Sequence, residues 1–187
     1  MEVVDILELS DTLSDEKTKQ FLNMFECKKD RTIEKFIKNN AIDFARQKLS
    51  STFILVEKGM ICGIFTLTHK PLSIKKSNIS SRYYKRLSRF STDTDGDNLH
   101  LSAFLIAQLA KNSKLSKECD IDGSEIVNIA LQYLIMARKI IGGKCVYVDV
   151  KNNDKLINFY KNNGFIEFDK RYSEKDKIEY LQMMRFV

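Results

Sequence analysis

One proline and seven glycines in 187 residues are too few chain breakers for a linker-rich protein, and no internal repeat is present. No apolar stretch approaches the roughly 18–20 residues that span a bilayer. The N-terminus also lacks a basic and then apolar leader, so the cytoplasm is the expected compartment. Only two histidines occur, His69 and His100, neither with a close Cys or Asp companion, and no metal site is expected. Cys27, Cys62, Cys119 and Cys145 are scattered with no short pairing, and Cys62 and Cys145 lie inside apolar runs. Buried free thiols are the expected state of all four. Acidic residues are missing between Gly59 and Thr92, where Lys70, Lys75, Lys76, Arg82, Lys85, Arg86 and Arg89 all fall.

The chain is long enough to bury a core without staples, and a single domain over residues 1–187 is expected. Hydrophobic residues make up 43% and charged residues 30%, the balance of an ordinary globular protein. The net charge of +6 is modest, but the acid-free segment concentrates positive field, which attracts anions. Two readings of that segment stay open. It is a solubilising loop held by ordinary aromatics, or a phosphate-binding surface on which Tyr83, Tyr84 and Phe90 stack against exposed bases.

Along the chain, Val3 to Leu9 reads as a first strand, and Ser14 as the cap of a helix carrying Phe21, Leu22 and Phe25. A second helix is expected from Arg31 to Lys48. Thr52 to Val56 and Ile61 to Thr68 read as a hairpin turned by Glu57-Lys58-Gly59. Lys70 to Asn98 reads as a polar, basic excursion with a short helix from Ser81 to Leu87. Within it Asp93 to Asp97 is turn chemistry, too short for a calcium loop. His100 to Ala110 has apolar residues on both faces and suits a central strand. Lys111 to Asp122 reads as loop, and Gly123 opens a long helix that Gly142-Gly143 stops. Ile178 to Val187 supplies a last strand. The fold class is mixed α/β, with helices packed on a sheet.

The most informative stretch runs from Lys144 to Phe165. Cys145 to Val150 is an apolar run that reads as a buried strand, and Asn153 or Asp154 caps the helix after it. Leu156, Phe159 and Tyr160 recur at helical spacing, and Asn163-Gly164 ends the helix before Phe165 restarts a strand. Tyr160, one short turn from a buried strand, is placed for chemistry as well as packing.

These residues resemble the N-acetyltransferase superfamily called GNAT, and the resemblance extends over nearly the whole chain, from Val3 to Val187. Its members read Asn, then Ala or a similar residue, then Phe-Tyr-x-x-x-Gly-Phe; here these are Asn153, Leu156, Phe159, Tyr160, Gly164 and Phe165. Within the superfamily the chain looks most like the toxin-type branch that acetylates the amino acid on a charged tRNA. The shared features are the helical segment from Arg31 to Arg46 and the basic excursion before the central strand. That branch ends the excursion's following strand in Arg-Leu-Ala-Val-Asp. Here the end reads Gln108-Leu109-Ala110-Lys111-Asn112, without the arginine.

The resemblance implies a largely antiparallel sheet in which two parallel strands splay to admit acetyl-CoA. Gln108, Leu109 and Ala110 would pair with the pantetheine arm, Gly123 and Ser124 would hold the pyrophosphate at a helix start, and Asn153 would touch the cofactor. The family's Gln/Arg-x-x-Gly-x-Gly/Ala pattern falls on Glu118 to Gly123, where only Gly123 matches. Asp120, Asp122 and Glu125 add negative charge there, with Lys111, Lys114 and Lys117 to offset it, so weaker CoA binding is expected. Tyr160 would be the general acid: a phenol stays protonated at neutral pH and can hydrogen-bond to sulfur. The alternative is a core tyrosine whose hydroxyl the backbone satisfies. No base stands out, and neither Cys119 nor Cys145 has an activating neighbour.

The activity implied is acetyl-CoA-dependent transfer to a primary amine, without a covalent enzyme intermediate. An aminoacyl-tRNA, reached through Lys75, Lys76, Arg82, Lys85, Arg86 and Arg89, is one acceptor. A small amine, a peptide or a protein N-terminus is another. From a different class, the poor Glu118–Gly123 match suits an inactive CoA- or nucleic-acid-binding module. A homodimer fits the resemblance, although no stripe in the sequence fixes an interface.

Overall fold

The computed structural model describes every residue except 92, 95, 115–118 and 175, and no side chain at 93 or 94. In chain order the first elements are β1 (Glu2–Asp5), α1 (Ile6–Leu13), α2 (Asp15–Leu22), α3 (Arg31–Asn39), α4 (Ala41–Arg46), β2 (Ser51–Glu57) and β3 (Met60–Lys75). Then follow α5 (Ser81–Leu87), β4 (Asp93–Thr94), β5 (Asn98–Lys111), α6 (Gly123–Ile141), β6 (Cys145–Lys151), α7 (Asp154–Asn162), β7 (Ile166–Ser173) and β8 (Ile178–Phe186). The strands hydrogen-bond in the order β1-β2-β3-β5-β6-β8-β7, with β4 on β5. The pairs β1–β2, β2–β3, β4–β5, β6–β8 and β7–β8 are antiparallel, and β5–β6 is parallel. This is the mixed, largely antiparallel sheet with flanking helices that was expected.

Packing divides the chain into two compact units, Met1–Thr68 with Ile106–Ala130, and His69–Leu105 with Leu131–Val187. In the first, α1, α3 and α4 turn their apolar faces to one core. Ile6, Leu22, Phe25, Ile37, Ile42, Ile54 and Ile64 are buried in it. In the second, Leu72, Ile74, Leu87, Leu101, Cys145, Tyr147, Phe168 and Met184 form the core.

Four expectations change. The run from Val3 to Leu9 is not one strand, because the Asp5 carboxylate accepts the Leu7 N–H at 2.8 Å and so caps α1. Helical spacing then buries Ile6 and Ser10. The helix expected from Arg31 to Lys48 is two, broken at Asn40, whose backbone leaves helical geometry. The excursion begins later than Lys70, since β3 continues to Lys75: Leu72 and Ile74 are buried while Lys70, Ser73 and Lys75 are exposed, the alternation of a half-covered strand. Finally, Cys62 and Cys119 are not free thiols. They form a disulfide, brought together by the fold across 57 residues. Cys27 and Cys145 are free and buried, as expected.

Candidate active site

In the second unit, the β6–α7 segment is built as its sequence implies. The Asn153 side chain accepts from the N–H groups of Lys155 and Leu156 at 3.0 and 3.3 Å, capping α7. At the other end the N–H of Phe165 reaches the Tyr160 carbonyl at 3.0 Å, and that of Gly164 reaches the Lys161 carbonyl at 2.9 Å. Gly164 sits at φ 79°, the left-handed turn that this pair of bonds requires. The backbone of Tyr160 therefore belongs to the helix stop, and its ring is held edge-on by Phe159 and Phe165 at 5.0 and 5.4 Å.

The Tyr160 side chain is half-buried, and among the described residues its hydroxyl has no hydrogen-bond partner. Burial pushes its phenol up to about 12. With no protein partner, the O–H is left to bond water or a ligand. The other tyrosine raised to about 12, Tyr147, is shifted mainly by burial, with Asp149 adding to it. Asp149 is no candidate base: its carboxylate already accepts from Arg171 Nη2 at 2.8 Å and Gln182 Nε2 at 2.9 Å. His69 is exposed and lies edge-on to Phe104 at 5.2 Å, and the His100 N–H donates to Ser91 Oγ at 3.2 Å.

The parallel register of β5 with β6 covers Phe104↔Val146 and Leu105↔Tyr147. β6 pairs with β8 as far as Lys151↔Tyr180. Gln108, Leu109 and Ala110 lie in the last part of β5, in the first unit, with Gln108 and Leu109 half-buried and Ala110 buried.

In the first unit, Gly123 and Ser124 form the first turn of α6, as expected, and are half-buried. The helix start is closed by a reciprocal pair: Glu125 N–H donates to Asp122 Oδ1 at 2.9 Å, and Asp122 N–H to Glu125 Oε2 at 2.7 Å. Both acids are exposed. The capping box takes up one of the helix N–H groups and sets two carboxylates where an anion would rest. Lys111 Nζ turns to the Cys119 carbonyl at 3.2 Å, and Lys114 is exposed. Glu118 and Lys117 lie outside the described residues, as does Asp95 of the turn expected from Asp93 to Asp97, whose first two residues instead form β4 against His100 and Leu99.

One residue without an expected role matters here. Gly63 on β3 has no side chain where a Cβ would meet Ile126 Cδ1 at 2.7 Å and the Ala110 carbonyl at 3.3 Å. The missing Cβ lets α6 and the end of β5 sit close to β3. An isolated glycine in an apolar strand signals such an approach.

In the second unit, Lys70, Lys75, Lys76, Arg82, Lys85, Arg86 and Arg89 are all exposed. Among the described residues none of the seven has an ion-pair partner. The aromatics beside them are partly engaged. Arg86 lies 3.6 Å over the Phe186 ring, Tyr83 stacks on Phe186 at 5.9 Å, and Lys76 and Lys144 cover Tyr84 and Phe90. The cations are thus free to meet phosphate, while the rings mainly brace α5.

No family model matches the sequence, and no curated protein does. Solved structures share the fold, and the fold is GNAT-like. A tyrosine-to-phenylalanine mutant of KacT superposes with a TM-score of 0.64 at 14% identity, over 97% of this chain and 94% of that one. AtaTR bound with AcCoA gives 0.61 at 17% identity, over 99% and 92%. AtaT complexed with acetyl-methionyl-tRNAfMet gives 0.60 at 18% identity, over 86% and 85%. At such identities the likeness establishes the shared fold.

Proposed function

We propose that the chain is an acetyl-CoA-dependent N-acetyltransferase, acting over residues 1–187 in the cytoplasm, whose acceptor is the α-amine of an aminoacyl-tRNA. The observation that carries this reading is the β6–α7 turn, where the Asn153 cap, Tyr160 and the Gly164 turn stand in the order the resemblance implies. By the same resemblance Gln108, Leu109 and Ala110 would pair with the amides of a pantetheine arm. The unpartnered Tyr160 hydroxyl, the unpaired cations around α5 and the fold shared with AcCoA- and tRNA-bound structures support it further.

Acetyl-CoA supplies the acyl group as a thioester. Gln108, Leu109 and Ala110 would bind and orient it, Asn153 holds α7 in register, and Gly123 and Ser124 would meet the diphosphate. Tyr160 would hold a proton for the sulfur that leaves when the acceptor amine takes the acyl group, a role that needs a phenol still protonated at working pH. The α-amine of an aminoacyl ester is acidic enough to lose its proton to water, so transfer does not depend on an internal base. Lys75, Lys76, Arg82, Lys85, Arg86 and Arg89 engage the phosphate backbone of the acceptor.

A binding module without catalysis is the second reading, and the Asp122–Glu125 capping box favours it, because two carboxylates oppose a diphosphate. The deciding experiment follows transfer from labelled acetyl-CoA to a panel of charged tRNAs and free amines. Replacing Arg82, Lys85 and Arg89 by alanine, with Arg86 kept because it packs on Phe186, should weaken turnover on charged tRNA. It should also flatten the salt dependence by roughly 0.9 for each phosphate left without its cation. Equal loss on a small amine would overturn tRNA as the acceptor, and no transfer to any member would favour the binding module.

A further inference from the structure

The register of β2 with β3 slips by one residue at a single point: Leu55 faces Gly63, but Val56 faces Ile61. Cys62 is the supernumerary residue of a β-bulge. Bulges re-aim a side chain and break the ladder locally. Here the Cys62 carbonyl accepts the Asn112 N–H at 2.9 Å, and the Cys62 sulfur is bonded to Cys119, four residues ahead of Gly123.

The segment joining β5 to α6 is thus held on β3 by two different means. At its beginning the fully buried Asn112 side chain donates to the Ile61 and Met24 carbonyls and accepts from Glu26 and Lys114 N–H groups, at 2.8 to 3.3 Å. Those bonds do not depend on redox state. Near its end, among the described residues, the Cys62–Cys119 disulfide ties it to β3. The next residue of the bulge, Gly63, receives Ile126 of α6. The β5 end is therefore fixed permanently, whereas the seating of α6 rests in part on a covalent bond that thiols can break.

We propose that Cys62–Cys119 is a redox clasp on the start of α6: oxidised, it holds Gly123 and Ser124 in place for acyl-CoA; reduced, it releases them and affinity falls. This rests on the cofactor reading of the same residues given above. Reduction is by thiol–disulfide exchange with a dithiol protein of the thioredoxin class. Its thiolate attacks one sulfur of the bridge and the other cysteine leaves and takes a proton; the reductant's second thiol then attacks the reductant's own sulfur in the mixed disulfide, and the remaining protein cysteine leaves and takes a proton. Two protein thiols and one oxidised reductant result, with two electrons and two protons transferred. Neither cysteine is more than 2% exposed, so exchange waits on local opening and is slow in the folded protein.

The test uses the full chain, oxidised and after incubation with reduced thioredoxin. Thiol titration of the unfolded protein counts two free thiols in one state and four in the other. Calorimetry measures acetyl-CoA binding, and hydrogen exchange measures protection of residues 123–127 and of residues 106–110. Reduction should weaken acetyl-CoA at least about 5-fold and loosen residues 123–127 while residues 106–110 keep their protection. Cys119→Ser should show the weak affinity in both conditions. Equal affinity and protection in both states, or four free thiols after air oxidation, would overturn the clasp alone. No binding in either state would overturn the cofactor reading and the proposal with it.

Discussion

Replacing Tyr160 by phenylalanine removes one oxygen, and the structure gives that oxygen no internal partner, so stability and catalysis should part. A phenol that anchors a core through a backbone hydrogen bond loses about 1 kcal/mol on such a change. Here no protein hydrogen bond is lost, so Tyr160→Phe should keep the parent's stability to within about 1 kcal/mol. For a chain of this size that is a melting point within about 2–4 °C of the parent's. Loss of a general acid, by contrast, lowers turnover about 10²- to 10⁴-fold. The pH profile adds a second check. Because burial raises the phenol to about 12, its proton stays on as pH climbs, and turnover should not fall through a pH of about 10 as it would for a free tyrosine. The same shift has a cost in stability: the unfolded phenol ionises near about 10, so the folded state loses support as pH rises from there towards about 12. Thermal melts and single-turnover transfer to a small amine, the amine kept saturating, measure both effects. A Tyr160→Phe protein that melts lower and turns over normally would show a structural tyrosine and refute the acid.

Gly63→Ala should cost about 1–3 kcal/mol and weaken acetyl-CoA, because a Cβ there drives into Ile126 Cδ1 at 2.7 Å inside a closed core; melting and calorimetry report the two losses. Asp122→Asn with Glu125→Gln keeps a helix cap but removes two charges, and should tighten acetyl-CoA by about 5-fold at low salt, with the gain fading as salt is raised. Unchanged affinity would mean that no diphosphate rests at the start of α6.

Much of this architecture was open to reading because single residues enforce it. Asn153 and Gly164 mark both ends of α7, Ser80 caps the helix expected from Ser81 to Leu87, and the apolar runs of β6 and β8 permit little else. Elsewhere local pattern was ambiguous. Val3 to Leu9 carries both periods, and only the Asp5 cap decides between them. The far half of β3 was hidden by its own lysines, although Leu72 and Ile74 keep the alternation of a strand. The disulfide was out of reach for a different reason. Two cysteines 57 residues apart become neighbours through a bulge and a strand pairing, neither of which spacing can express. Gly63 was within reach, since glycine weakens a strand unless something approaches it.

The way the chain visits its two compact units carries a consequence for synthesis. The first needs residues 106–130, which leave the ribosome only after residues 69–105 of the second have been made. Ala110, part of the first unit's core, is made long after Ile6, with which it shares that core. No uninterrupted fragment holds one unit free of the other, so a nascent chain must keep the early helices waiting. Pulse-labelled truncations ending before residue 106 should therefore stay protease-sensitive throughout, and those ending past residue 130 should be the first to resist.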